Sequence, residues 1–153
     1  MSDIKFITIK GHQTLSSEMA FVLSDLDAHY FPTPWTLDNW KSISEQDRLL
    51  VVMMNMEQVA GFCLFDKSVP DSFAHLLKIL IIPELRNQGH SRVLLENAIG
   101  QLRQEGCSRL FLEVEENNHA AQKLYYGLGF SIVHRKKDFY GENRNALIMT
   151  LGH

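Results

Sequence analysis

Residues 76–106 read LLKILIIPELRNQGHSRVLLENAIGQLRQEG, an apolar run that passes through a short polar turn into an amphipathic repeat. The direct reading is strand, turn, helix. At the turn sit Arg86, Asn87, Gln88, Gly89, His90 and Ser91. Backbone N–H groups and the positive end of a helix dipole converge there, beside a glycine that leaves room. Such a turn can hold a phosphate or pyrophosphate. A glycine after a strand can equally just permit a tight connection. With a single glycine and no second half of a doubly wound fold, the turn is not the dinucleotide fingerprint.

Working outward, a chain of 153 residues that is 45% hydrophobic can bury a core as one compact domain spanning 1–153. The net charge of -3 and a pI near 6.1 argue against a general nucleic-acid binder. The start, MSDIKFITIK, lacks a leader-type apolar run. Nowhere do about 18 consecutive apolar residues occur, so no membrane partner and a cytoplasmic location are expected. Cys63 and Cys107 each lie in an apolar segment without CxxC spacing and read as buried free thiols. Seven histidines show no ligand spacing, and no metal is expected.

In chain order, Ile4 to Ile9 alternates as an edge strand ended by Gly11. Thr14 or Ser16 caps a helix through Tyr30, with Met19, Leu23 and Leu26 on one face. The prolines of FPTPW, residues 31–35, stop it, and Thr36 starts a short second helix. Arg48–Met54 and Val59–Phe65 form a hairpin around Asn55–Gln58. A strand from Phe73 to Ile82 ends at Pro83. In the following helix Val93, Leu94, Ala98, Ile99 and Leu102 mark the apolar face, and Gly106 stops it. Arg109–Val114 is a buried strand, His119–Leu128 a helix ended by Gly129. Ser131–Lys137 and Ala146–Leu151 are the last strands, joined across DFYGENRN.

Three groups can carry chemistry besides the turn. Glu113 interrupts an apolar strand near its carboxyl end, where open α/β sheets place ligands, and can also be half of an edge ion pair. Tyr125 lies at apolar helical spacing, which suits a core residue with its hydroxyl at the surface. Asn118 caps the helix that follows it, a role compatible with ligand contact.

RNQGHS after ILIIP resembles the acyl-CoA signature Q/R-x-x-G-x-G/A of the GNAT superfamily of N-acetyltransferases. LEVEENNHAAQKLYYGLGF, residues 112–130, resembles its second signature, LEV-x-x-x-N-x-x-A-x-x-LY-x-x-LGF. FPTPW resembles the FPW loop of the ribosomal-protein-alanine branch with two residues added, and KKDFY with ALIM resembles that branch's carboxyl-terminal segments. The resemblance implies a single-domain α/β fold, a mixed, mostly antiparallel sheet of about seven strands flanked by about four helices. A splayed central strand pair would form the acyl-CoA cleft. It places Ile79, Leu80 and Ile81 along the acyl and pantetheine arm and Asn87, Gln88, Gly89, His90, Ser91 and Arg92 at the pyrophosphate, with Arg86 opening the signature. Asn118 and Tyr125 would contact the cosubstrate near its sulfur, with Glu113 as base and Tyr125 also as general acid. Ser91, where glycine or alanine is usual, and Ile82, where a polar residue is frequent, depart from the pattern.

The chemistry agrees independently. A protonated α-amine of pKa about 8, or a lysine of about 10.4, cannot attack a thioester until a base takes its proton. The departing thiolate leaves more readily if a hydroxyl donates to it, and an unpaired strand N–H can stabilise the oxyanion. The implied function is acetyl transfer from acetyl-CoA to a primary amine, foremost a protein α-amino group, by direct attack. Phe31, Trp35 and Tyr140 would flank the acceptor, and the assembly would be a monomer or homodimer. A small-molecule amine acetyltransferase and a non-catalytic acyl-CoA-binding domain are the competing readings.

Overall fold

The computed structural model describes residues 3–152, so residues 1, 2 and 153 of the expected domain lie outside the described residues. The elements are β1 (Ile4–Gly11), α1 (Ser17–Tyr30), α2 (Leu37–Lys41), β2 (Arg48–Asn55), β3 (Gln58–Ser68), β4 (Phe73–Ile81), α3 (His90–Gln104), β5 (Arg109–Glu115), α4 (His119–Gly127), β6 (Ser131–Gly141) and β7 (Arg144–Leu151). They build one seven-stranded sheet in the order β1-β2-β3-β4-β5-β7-β6. Every neighbouring pair is antiparallel except β4 and β5.

The sheet is buried on both faces because its middle strands are apolar on both. In β2, Leu49, Val51 and Met53 face a core completed by α3 and α4, while Leu50 and Val52 face a second core under α1 and α2. The caps follow the sequence: Ser16 Oγ accepts from Met19 N–H at 3.1 Å and starts α1. Thr36 and Asn39 exchange side-chain and backbone bonds in a capping box on α2.

The parallel joint fixes the site. β4 and β5 pair only at Phe73–Arg109, Ala74–Leu110 and His75–Phe111. Beyond His75 they diverge, and β4 carries an extra residue, Leu77, where its register against β3 slips from Phe65–Leu76 to Leu64–Lys78. Ile82 N–H donates to Ala60 O at 2.9 Å. Because strand groups alternate sides, the N–H groups of Ile79 and Ile81 turn the other way, into the gap.

Several expected boundaries shift for physical reasons. β4 ends at Ile81, and Pro83–Leu85 forms a 3-10 turn. β3 runs past Phe65 to Ser68 because Lys67, buried there, is neutralised by Glu105 at 2.8 Å and Asp47 at 3.3 Å. In α3, Val93 is exposed and Leu95 takes its place in the core. β6 continues to Gly141, so the last turn is only residues 142–143. All eleven residues of β6 are exposed, which is why no alternating pattern announced its length.

Gly61 of β3 pairs with Ile81, and a Cβ there would stand 2.5 Å from Leu80 O and 2.8 Å from Ile81 Cδ1. Gly61→Ala is therefore expected to force β3 from β4 and cost about 1–3 kcal/mol. Thermal unfolding should register this as a fall of about 2 °C or more in Tm.

Candidate active site

The gap between β4 and β5 is a cleft of about 840 Å3. One end is the turn before α3. Asn87 (φ 63°) and Gly89 (φ 81°) are both left-handed, a conformation that gathers backbone N–H groups on a concave side. No side chain caps α3, and Val93 N–H is the first to reach back, to Gly89 O at 3.3 Å. The preceding N–H groups of α3 face the cleft mouth, at the positive end of a 15-residue helix. A Cβ on Gly89 would meet nothing within 4 Å, so the space over the turn is open to a ligand. Arg86 donates from Nε to Ile81 O at 2.8 Å, tying the turn to the strand end.

Further in, Glu113 reaches the cleft from β5 and Tyr125 from α4. Glu113 Oε2 is 2.5 Å from Nε2 of His75, whose ring stacks on Phe111 at 4.2 Å. Tyr125 is 5% exposed and packs edge-on to Phe130. Burial pushes its phenol up to about 12, with smaller contributions from Tyr140 and Cys63, so it is a protonated donor at neutral pH. Burial, then the Glu113 and Glu115 carboxylates, likewise push Tyr140 up to about 12. Arg144 holds Glu115 through two bonds of 2.8 and 3.1 Å and keeps its carboxyl below the usual range.

The opposite wall is organised by one buried carboxylate. Asp27 of α1 is 0% exposed; its Oδ1 accepts from Lys78 Nζ at 2.9 Å, and its Oδ2 from Trp35 N–H at 2.9 Å and Trp40 Nε1 at 3.0 Å. The Lys78 ammonium lies 4.7 Å from the Phe31 ring centroid. Asp27 thus ties α1, the 31–35 loop, α2 and β4 together. Nothing local in the sequence marks Asp27, Lys78 or His75, because the Asp27–Lys78 and His75–Glu113 pairs form across 51 and 38 positions.

Of the residues anticipated from sequence, Ile79, Leu80, Ile81, Arg86, Asn87, Gly89, His90, Ser91, Arg92, Glu113, Asn118, Tyr125, Phe31 and Tyr140 all line this cleft. Asn118 Oδ1 also caps α4 by accepting from Ala121 N–H at 3.1 Å. Two stand apart. Gln88 turns its amide back to Glu84 O at 3.3 Å. Trp35 packs 5.2 Å from Trp40, carries Arg48 over its ring at 4.8 Å and lines a separate pocket of about 340 Å3. Among the described residues no group of three His, Cys, Asp or Glu is placed to hold a metal, and no helix is long and apolar enough to cross a membrane.

The model of the acetyltransferase (GNAT) family matches residues 16–130. The chain belongs to this family. The bS18-alanine N-acetyltransferase of Escherichia coli strain K12 is 31% identical over 147 residues, covering 94% of this chain and 96% of that protein. Its counterpart from Haemophilus influenzae is 29% identical over 131 residues, 83% and 88% of the two chains. The crystal structure of the Escherichia coli ribosomal-protein-S18-alanine N-acetyltransferase superposes with TM-score 0.80 at 25% identity, over 97% of this chain and 94% of that one. An Arabidopsis thaliana NAA60 complex with acetyl-CoA, at 16% identity and TM-score 0.80, covers 97% and 98% and shares the fold.

This GNAT protein is an acetyl-CoA-dependent N-acetyltransferase. Its turn fits a pyrophosphate by the left-handed pair, the free N–H groups and the open space over Gly89. Ser91 lies inside α3 with no left-handed backbone, so glycine is not required there. Ser91→Gly is expected to change the acetyl-CoA Kd by less than tenfold, about 1.4 kcal/mol, in calorimetry.

The Tyr125 phenol makes alkaline stability informative. Its folded-state pKa lies above the ordinary 10.0, so its stabilising contribution is complete below pH 10 and is lost as pH rises toward about 12. Tm should fall across that window, and Tyr125→Phe should fall less steeply.

Proposed function

We propose that residues 1–153 form one catalytic domain that acetylates the α-amino group of a protein, with an alanine-initiated ribosomal protein as the acceptor. The observation that carries the reading is that Glu113 and Tyr125 line a single cleft whose far end is the phosphate turn. The acceptor class comes from the relatives, whose names specify the alanine of bS18. A ribosomal acceptor places the reaction in the cytoplasm.

In this mechanism Glu113 takes the proton of the incoming ammonium, directly or through a water, and frees the lone pair for attack on the thioester carbonyl. The N–H of Ile79 or Ile81, turned into the gap, donates to the developing oxyanion. The Tyr125 phenol donates to the departing thiolate, a task for which a protonated hydroxyl in a desolvated site is suited. Asn87, Gly89, His90, Ser91 and Arg92 hold the pyrophosphate, and Ile79 to Ile81 guide the pantetheine arm. Asn118 contacts the cosubstrate near its sulfur. Phe31 and Tyr140 flank the acceptor, and Trp35 supports the wall from behind through Asp27.

The test is a thiol-release assay with acetyl-CoA and three acceptors: a peptide beginning with alanine, the same peptide with its α-amine blocked, and a panel of small amines. Turnover of the free peptide alone is expected. Preference for a small amine overturns the acceptor, and binding of acetyl-CoA without turnover of any acceptor overturns the catalytic reading.

A further inference from the structure

His75 sits where β4 and β5 part. It is the last residue of β4 to pair with β5, against Phe111, and its side chain reaches forward along β5 to Glu113, two residues on. Its ring lies on the Phe111 ring at a centroid distance of 4.2 Å and an interplanar angle of 11°. That stacking fixes the imidazole plane and with it the direction of Nε2. Glu113 lines the cleft, whereas His75 does not, so the imidazole approaches the carboxylate from behind. At 2.5 Å one oxygen, Oε2, is engaged; among the described residues Oε1 has no hydrogen-bond donor.

A carboxylate can only accept, so the shared proton rests on Nε2. Left alone, a glutamate on a strand end samples many rotamers, and only those that aim an oxygen into the gap can serve the reaction. An imidazole N–H supplies the constraint without the permanent positive charge that lysine or arginine would place there, a charge that would make the carboxylate a weaker base. The other charged groups nearby are committed elsewhere: Lys78 of β4 to Asp27, and Arg144 of β7 to Glu115. Tyr140 of β6 presents a phenol.

We propose that His75 is a positioning residue for Glu113: its Nε2–H holds Oε2 so that Oε1 is presented to the acceptor amine. The inference rests on the reading of Glu113 as the base, and it adds a residue that the two sequence signatures do not contain.

The experiment uses the full chain with acetyl-CoA and the alanine-initiated peptide. His75→Leu, which removes the donor while filling the space, is expected to lower kcat about tenfold or more, with KM for acetyl-CoA changed less than about twofold. His75→Gln, whose amide can donate to Oε2, should recover most of the loss. In a Glu113→Gln background His75→Leu should have less than about a twofold effect, since the group it positions is gone. Equal losses in the Leu and Gln variants, or an undiminished effect of His75→Leu in that background, overturn the proposal. A second readout needs neither turnover nor the substituted histidine. Nitrogen NMR of 15N-histidine-labelled wild type should show His75 protonated at Nε2, with a resonance that moves in Glu113→Gln. An unprotonated or unmoved Nε2 overturns the proposal even if the peptide proves not to be an acceptor. A fully active Glu113→Gln with the NMR coupling present would instead remove the base assignment, and the positioning role with it.

Discussion

Glu113→Gln is expected to lower kcat by roughly 10²-fold or more with the alanine-initiated peptide, while acetyl-CoA binding stays nearly intact. The amide keeps the size and one acceptor of the side chain but has no basic lone pair of comparable strength. Proton removal then falls to water, and the ammonium form of the acceptor persists in the cleft. Tyr125→Phe should cost a similar factor for the other half of the reaction, because the thiolate would leave a 5%-exposed site without a donor. In both variants kcat and kcat/KM should fall together, the pattern of an interaction made in the transition state. Unchanged steady-state rates in the pair would remove the assignment of base and acid.

Lys78→Met is expected to lower stability by about 3–5 kcal/mol. It would leave Asp27, 0% exposed, with two neutral donors and no countercharge. The desolvated carboxylate would have to take up a proton or draw in water, and either disturbs the loop that Trp35 and Trp40 anchor to it. Asp27→Asn in the same chain should restore much of the loss, because an amide needs no counterion. Urea unfolding of the two single variants and the double variant measures this coupling directly. A loss below about 1 kcal/mol for Lys78→Met would mean that the pair behaves like an exposed one.

The local pattern of this chain carries most of its architecture. The run from Leu76 to Gly106 gives strand, turn and helix, because its apolar spacing changes from continuous to helical at a glycine-bearing turn. Glu113, Tyr125 and the residues from Arg86 to Arg92 line one cleft, except Gln88, whose amide folds back on Glu84. What escaped notice depends on partners distant in the chain. Asp27 and Lys78 are separated by 51 positions and His75 and Glu113 by 38, so nothing local marks either pair. Trp35, expected beside the acceptor, has its backbone N–H held by Asp27, and its ring packs on Trp40 and Arg48 and lies 5.7 Å from the Lys78 ammonium at the cleft wall. The length of β6 was hidden for the opposite reason: with both faces exposed, its side chains carry no imprint of a buried face.

The three-residue parallel joint divides the sheet into blocks that are also contiguous in the chain. β1 to β4 come from residues 4–81, with α3 packed on β2, β3 and β4, and β5 to β7 come from residues 109–151. Each block is an antiparallel ribbon, the two meet in the sheet at Phe73 to His75, and one apolar core beneath α3 and α4 runs across both. Ile79 to Ile81 of one block and Asn118 and Tyr125 of the strands and helix that follow line the same cleft, so a donor bound as proposed would touch both blocks and brace one against the other. Affinity for it would then depend on how firmly the joint and the shared core set the spacing of the two blocks, as well as on the groups that touch it. Substitutions at Phe73 or Phe111, whose rings meet at 5.7 Å across that joint, would on this reading alter donor binding without removing a single contact to the donor.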